Sequence, residues 1–275
     1  MKAGKLHYGW VVIFMGLLTT IAAHGFGRMS YTIILPAMKD GLSFNYTQLG
    51  LLGTGNFIGY LTMAIVGGFM AARFGTRIVI TAGLVLMGIT MILTGLAQSF
   101  EFAFTMRLLT GLGNGAAFVP AMALGSAWFA VKKRGFATGI VSAGIGAGTF
   151  ISGLTVPPIL SAFSASGWRF SWYILGGAVL LISAIVFQFV RSNPQEKGLD
   201  QVGSEKNDEA QSGSTATEKG STAKWTVTVK RIIKMGSVWY LGVVYFFFGL
   251  SYIIYMVFFA AYLVKEIGLS QEWAG

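Results

Sequence analysis

The sequence contains no cysteine, only 5 prolines and only 10 acidic residues among its 275 residues. Without cysteine, the chain cannot form a disulfide scaffold, a cysteine-ligated zinc finger or a thiol nucleophile. Charged residues make up 11% of the chain and hydrophobic residues 54%, whereas soluble domains carry about 25% charged residues. This composition excludes collagen-like and disordered chains. It favours a polytopic membrane protein.

Seven apolar stretches are long enough to cross a bilayer, which requires about 20 residues of helix. The predicted spans are residues 10–38, 46–70, 78–97, 102–129, 136–162, 170–190 and 235–264. The first is too long, and carries Arg28 too early, for a cleaved signal peptide. We therefore predict an all-α fold, a bundle of transmembrane helices.

Basic residues concentrate in alternate loops, as the positive-inside rule expects. If the N-terminus is cytoplasmic, fifteen lysines and arginines lie on that side, three lie outside, and Arg28 and Arg107 lie within spans. We therefore expect an integral protein of the bacterial inner membrane with a cytoplasmic N-terminus. The net charge of +10 indicates topology and contact with anionic lipid, and does not indicate nucleic-acid binding.

Residues 191–234 are rich in Ser, Thr, Gly, Glu and Lys and lack apolar periodicity, which predicts a flexible cytoplasmic linker. The linker would separate an N-terminal half with six spans, residues 1–190, from residues 235–275 with one span. Residues 41–43 and 268–270 both read Gly-Leu-Ser, which suggests an internal repeat of a six-span unit. We expect the chain to be a fragment, the first half of a transporter and the first span of its second half.

Two motifs resemble those of the major facilitator superfamily. Residues 68–77, with Gly68, Arg73, Gly75 and Arg77, resemble its signature loop, Gly-x-Leu-Ala-Asp-Arg-x-Gly-Arg-Arg, although Ala72 replaces the acid. Residues 107–115 resemble its arginine-and-glycine motif. The resemblance implies two six-helix halves that expose a midplane site alternately, and it implies that Arg107 serves in proton coupling or substrate contact. In the family the acid of this loop helps to lock the cytoplasmic gate. With Ala72 at this position, gating by a contact of that acid is in doubt for this sequence.

Further runs resemble narrower groups of the same family. Gly139 and Gly148 partly match its antiporter motif, although Ser152 and Gly153 stand where Gly-Pro is usual. The runs at 128–139 and 193–199 resemble the branch of oxalate/formate antiporters and monocarboxylate porters.

The arginines within the spans carry the strongest chemical signal. All ten acids lie outside the predicted spans, and a charged residue within a span costs at least about 2.5 to 3.5 kcal/mol. The partner of Arg28 or Arg107 is therefore an anionic ligand, backbone carbonyls or a residue of the other half. We favour the ligand, because a guanidinium binds a carboxylate through two hydrogen bonds. The main alternatives are snorkelling of Arg28 to the outer surface and a structural contact of Arg107.

Four further polar residues are candidates for substrate binding or coupling. His24 and Tyr31 are spaced to share one helical face with Arg28, and His24 is a candidate for coupling a proton to the anion. Both are equally compatible with simple packing. Asn56 and Asn114 either face the cavity or, as amides in membranes often do, bond across helices.

Other features have structural interpretations. The glycine clusters at 53–55, 111–113 and 144–148 lack the strand-turn-helix context of dinucleotide loops, so we expect close helix packing. Tryptophans near predicted span ends are expected to anchor the membrane interface; they are Trp10, Trp168, Trp172, Trp225 and Trp239. No cofactor or metal is predicted. The spans also lack the paired acids, metal cluster or serine with a base that an intramembrane enzyme needs.

The sequence therefore predicts a secondary active transporter of a small organic anion of monocarboxylate type, with a coupled proton. Two alternatives remain open. One is a drug or sugar exporter of the same fold, and the other is a half-transporter or partner subunit without transport of its own.

Overall fold

The computed structural model describes residues 7–204 and 235–265. The first span consists of helix α1 (Tyr8–Thr20), a π-helical segment (Ile21–Met29) and α2 (Ser30–Leu42). The other long helices are α3 (Tyr46–Phe74), α4 (Thr76–Gly95), α5 (Phe100–Trp128), α6 (Val131–Ala162), α7 (Gly167–Phe189) and α8 (Gly236–Lys265). The chain divides into two compact units, Met1–Ser214 and Thr215–Gly275.

The predicted all-α class is confirmed. Six of the seven predicted spans correspond to helices that are long and apolar enough to cross a membrane. The seventh corresponds to α8, a helix of 30 residues. Most of the predicted linker, residues 205–234, and the second Gly-Leu-Ser sequence at 268–270 lie outside the described residues.

Local signals in the sequence end the helices. Asn45 and Gln48 form a capping box at the start of α3, each side chain accepting a hydrogen bond from the other residue's backbone amide, at 2.8 and 3.0 Å. Gly75 separates α3 from α4 with a φ of +87°, a left-handed conformation that favours glycine. The short signature loop therefore makes a sharp turn between two spans.

Glycines bring the helices of the first unit close together, as the sequence predicted. A Cβ atom at Gly113 of α5 would lie 2.6 Å from the backbone oxygen of Gly83 in α4. A Cβ atom at Gly144 of α6 would lie 2.6 Å from the oxygen of Leu17 in α1. Such close approach stabilises membrane bundles through van der Waals contact.

The expectation that Trp168 and Trp172 anchor the membrane interface is wrong. Both side chains are buried among the helices, with 1% and 0% of their surface exposed. Trp239 of α8 is exposed, and Trp225 lies outside the described residues. The position of Trp172 within the bundle makes it part of the site described next.

Candidate functional site

The first span is not a uniform α-helix, because residues 21–29 form a π-helix. In a π-helix a backbone amide bonds to the carbonyl five residues earlier, as the amide of Ser30 does to the oxygen of Gly25. The segment carries both His24 and Arg28, and π-helical turns frequently occur at functional sites. The spacing of polar residues in the sequence contained no signal of this departure.

His24 and Arg28 belong to one aromatic cluster. The Arg28 guanidinium carbon lies 4.1 Å from the ring centroid of Phe57 and 5.7 Å from that of Tyr60, both on α3. The His24 ring packs against Phe118 of α5, with centroids 4.2 Å apart, and its edge faces Tyr60 at 6.2 Å. Arg28 is half-buried, whereas His24 is 7% exposed. The three aromatic partners were missed in the sequence, because nothing in it indicates which face of α3 or α5 meets the π-helical segment.

Tyr31 belongs to a different cluster. Its ring centroid lies 4.5 Å from the guanidinium carbon of Arg107, and its hydroxyl donates to the backbone oxygen of Leu49 at 2.7 Å. The expected stripe of His24, Arg28 and Tyr31 is therefore divided: the first two contact the aromatic residues of α3 and α5, and the third contacts Arg107.

Arg107 is enclosed in the bundle with 1% of its surface exposed. The rings of Tyr31 and Trp172 lie against its guanidinium, at 4.5 and 5.1 Å from the guanidinium carbon. One terminal nitrogen, Nη1, donates to the backbone oxygen of Gly27 at 3.2 Å. The structure thus gives Arg107 a backbone carbonyl and two aromatic rings, and no open surface in this conformation.

Three alternate carbonyls of the π-helical segment accept hydrogen bonds from side chains of other helices. Ala23 accepts from Asn114 of α5 at 2.7 Å, Gly25 accepts from Ser152 of α6 at 3.1 Å, and Gly27 accepts from Arg107. These bonds attach the segment to both neighbouring helices. Ser152 was noted in the sequence only as a departure from the family's Gly-Pro pair, and the structure shows what its hydroxyl does.

The two candidate amides bond across helices. The side chain of Asn56 in α3 donates to the backbone oxygen of Arg107 at 3.0 Å, and Asn114 donates to Ala23. Their exposed fractions are 3% and 0%. In this conformation both amides join helices and neither faces an open cavity.

Four buried polar atoms have no hydrogen-bond partner among the described residues: Nδ1 of His24, Nε of Arg107, Oδ1 of Asn114 and Nε1 of Trp172. Buried polar groups are nearly always hydrogen-bonded. All four lie in the part of the bundle around the π-helical segment, so this region is suited to hold a ligand or water.

The signature loop connects two helix ends at the face predicted to be cytoplasmic. The side-chain Nε of Arg77 donates to the backbone oxygen of Phe187 at 2.7 Å, and its backbone amide donates to Ser192 at 3.3 Å. The amide of Ser192 in turn donates to the carboxylate of Glu196 at 3.1 Å. Arg77 therefore links the loop to the end of α7, and sequence reasoning missed its partners because they lie more than 100 residues away.

The other two loop candidates make fewer contacts. The Arg73 guanidinium carbon lies 5.4 Å from the ring centroid of the adjacent Phe74. Gly68 is exposed, and a Cβ atom there would meet nothing within 4 Å in the described part of the chain.

The comparison with protein families gives a match over almost the whole chain. The family model of the Major Facilitator Superfamily matches residues 17–275. A bacterial homologue of the human lysosomal transporter Spinster, solved in an inward-facing and unoccupied conformation, has a TM-score of 0.58 and 23% identity to this chain. The likeness covers 75% of this chain and 48% of the other, and it shows a shared fold.

Several curated relatives are about 27% identical to the chain over the aligned residues. The probable sulfoacetate transporter SauU of Cupriavidus necator is 27% identical over 89% of this chain and 55% of its own length. The hexuronate transporter of Bacillus subtilis is 27% identical over 95% and 58%. The probable anion transporter 4 of Oryza sativa subsp. japonica, a chloroplastic protein, is 27% identical over 86% and 39%. The chain thus spans about half the length of the curated relatives it matches.

Proposed function

Because this chain belongs to the major facilitator superfamily, we propose that it is part of a secondary active transporter that moves a small organic anion across the membrane. The relatives named for sulfoacetate, hexuronate and anion transport support an anionic substrate. A substrate of monocarboxylate type is the finer part of the proposal. The narrower resemblance to oxalate/formate antiporters and monocarboxylate porters stays a prediction.

The observation that carries the proposal is the half-buried guanidinium of Arg28 near the middle of the first span. The described part of the chain has four acidic residues, and each lies at a helix end or in a loop: Asp40, Glu101, Glu196 and Asp200. A guanidinium at this depth suits an anionic substrate, because it donates charge-assisted hydrogen bonds to a carboxylate. The Phe57 ring lies 4.1 Å from the guanidinium carbon, and this contact is compatible with hydrogen bonds from the guanidinium nitrogens to a carboxylate.

We place the substrate at the aromatic cluster of Arg28 and His24 in the first unit. By analogy with the family, rocking of the halves would expose this site to each side in turn. With Ala72 in place of the family's acid, we assign the attachment of the signature loop to Arg77, which bonds to the end of α7.

We assign proton coupling to His24. Its ring contacts Phe118 and Tyr60, it lies four residues from Arg28, and its Nδ1 has no partner among the described residues. An imidazole in this position can exchange a proton as the anion arrives. We further propose a bacterial inner-membrane location with the N-terminus in the cytoplasm.

Uptake of labelled organic anions by proteoliposomes that contain the full-length protein tests the role of Arg28. We expect Arg28→Gln to reduce uptake about 30-fold or more, because truncating one partner of a buried charge pair costs at least about 2 kcal/mol. Arg28→Lys should restore only part of the uptake, since lysine lacks the planar guanidinium that binds a carboxylate through two hydrogen bonds. Lys39→Gln, which removes a cation near the end of α2, is the matched control. Unchanged uptake in Arg28→Gln would overturn the assignment.

The chain has two histidines, which provides a matched pair for the coupling test. We expect His24→Ala to abolish the pH dependence of uptake. His7→Asn should preserve it, since asparagine can replace His7 as the cap of α1. A His24→Ala protein with wild-type pH dependence would contradict proton coupling through this residue.

A further inference from the structure

We propose that Arg107 and Trp172 hold a small inorganic anion of chloride size inside the first unit, at a site separate from the substrate site at Arg28. The inference begins with Arg107, which is 1% exposed and lies in the second turn of the membrane-spanning helix α5. No carboxylate in the described part of the chain forms an ion pair with it. A charge buried in a low-dielectric bundle without a counter-charge is strongly unfavourable.

The protein's own contacts with Arg107 offset only part of this cost. The carbonyl of Gly27 accepts one hydrogen bond from Nη1, and the rings of Tyr31 and Trp172 lie against the guanidinium. These are neutral groups. The guanidinium Nε has no partner among the described residues, so this N–H group can donate a hydrogen bond to a further acceptor.

A second donor without a partner lies in the same cluster. The indole Nε1 of Trp172 is buried and makes no hydrogen bond to any described residue, and its ring centroid is 5.1 Å from the guanidinium carbon. An indole nitrogen can only donate. The two unpartnered atoms are therefore both donors, and one of them belongs to a cation, which is the arrangement that suits an anion.

The ligand must be small and charged. Both donors are fully buried, and Arg107 has almost no exposed surface, so this site cannot admit a bulky organic anion as the half-buried Arg28 can. A water molecule could accept the two hydrogen bonds, but it would leave the positive charge uncompensated. A halide beside the guanidinium accepts a hydrogen bond from Nε and neutralises the charge, and the nearby indole of Trp172 offers a second donor.

Thermal unfolding of the purified full-length protein tests the site without any measurement of transport. Chloride should raise the unfolding temperature in a saturable manner when it replaces gluconate at constant sodium concentration, because a ligand that binds only the folded state stabilises it. Bromide should replace chloride, and an anomalous-scattering peak should appear beside Arg107 in crystals grown with bromide. No chloride dependence, or bromide elsewhere only, would overturn the proposal and would be the result expected if a water occupies the site.

Variants locate the effect. Arg107→Gln should abolish the chloride-dependent rise. Because that variant removes a buried structural contact, Trp172→Phe serves as the second test: it keeps a ring beside the guanidinium and removes only the donor. We expect Trp172→Phe to raise the half-saturating chloride concentration about tenfold or more, as for the loss of one hydrogen bond to a charged group.

Two controls separate this site from the others. Trp168→Phe makes the same change one turn earlier on α7. The indole nitrogen of Trp168 is not one of the four buried atoms without a partner, so this variant should leave the half-saturating chloride concentration unchanged. Arg28→Gln should also leave the chloride response intact while it reduces organic-anion uptake about 30-fold or more. A chloride response that follows Arg28 and ignores Trp172 would contradict the inference and leave the proposed function standing.

Discussion

The packing of α6 on the π-helical segment can be tested with two glycines that lie two residues apart. A Cβ atom at Gly148 would lie 2.8 Å from the backbone oxygen of Ile21 and 2.9 Å from the Cα of Gly25. A Cβ atom at Gly146 would meet nothing within 4 Å in the described part of the chain. Gly148→Ala and Gly146→Ala therefore make the same chemical change in a tight and an open position.

The magnitude follows from two opposing effects. Replacement of glycine by alanine within a helix favours folding by up to about 1 kcal/mol, and this gain applies to both variants. Only Gly148→Ala also forces α6 away from the π-helical segment, and overpacking of this kind costs about 1 to 3 kcal/mol. At about 2 to 4 °C per kcal/mol for a unit of this size, Gly148→Ala should unfold about 2 to 12 °C below Gly146→Ala.

The assay is thermal unfolding of the two purified variants in the same detergent, followed by the loss of the monodisperse peak in size-exclusion chromatography. The comparison is made between the variants, so a uniform effect of the detergent cancels. Equal unfolding temperatures, or a lower one for Gly146→Ala, would refute the close contact between α6 and the π-helical segment.

Three further predictions concern other parts of the first unit. Tyr31→Phe should lower the free energy of unfolding by about 0.5 to 1.5 kcal/mol in chemical denaturation, because it removes the hydrogen bond to Leu49 and keeps the ring beside the Arg107 guanidinium. A loss above about 3 kcal/mol would contradict that account. Arg77→Gln should speed proteolysis between α3 and α4, since the loop loses its bond to the end of α7, and an unchanged rate would argue against this attachment. Because the chain has no cysteine, the variants Gln98→Cys and Lys132→Cys each carry a single cysteine that reports topology. In intact cells an impermeant maleimide should label Gln98→Cys and leave Lys132→Cys unlabelled. The reverse pattern would contradict the proposed orientation.

Most of the fold could be predicted from the sequence, because crossing a bilayer imposes a length and a composition that are visible along the chain. The seven apolar stretches match seven helices for this reason. The glycine contacts were also predictable in kind, since only small residues permit backbones to approach, as at Gly113 and Gly83. The partner of each glycine could not be predicted, because it depends on which faces of the helices meet.

The site was predicted less completely. The π-helical segment has no signature in composition, since it depends on contacts made by Asn114 and Ser152 from other helices. The spacing of an α-helix would place His24, Arg28 and Tyr31 on one face. In the structure the backbone changes pitch at the π-helical segment, and Tyr31 lies beside Arg107, apart from the other two. The position of Trp172 near a span end predicts a place at the membrane interface, but its side chain is buried in the bundle beside Arg107.

The most direct test of the central claim is a competition measurement in proteoliposomes that contain the full-length protein. Uptake of a labelled small carboxylate is followed in the presence of unlabelled carboxylates, sulfonates, a neutral sugar of similar size and a cationic drug. If Arg28 binds the substrate's anionic group, the carboxylates and sulfonates compete in the wild-type protein and the neutral and cationic compounds do not. Uptake by Arg28→Gln is then reduced about 30-fold or more. Competition by the neutral sugar or the cationic drug alone would contradict the account and favour an exporter of the same fold.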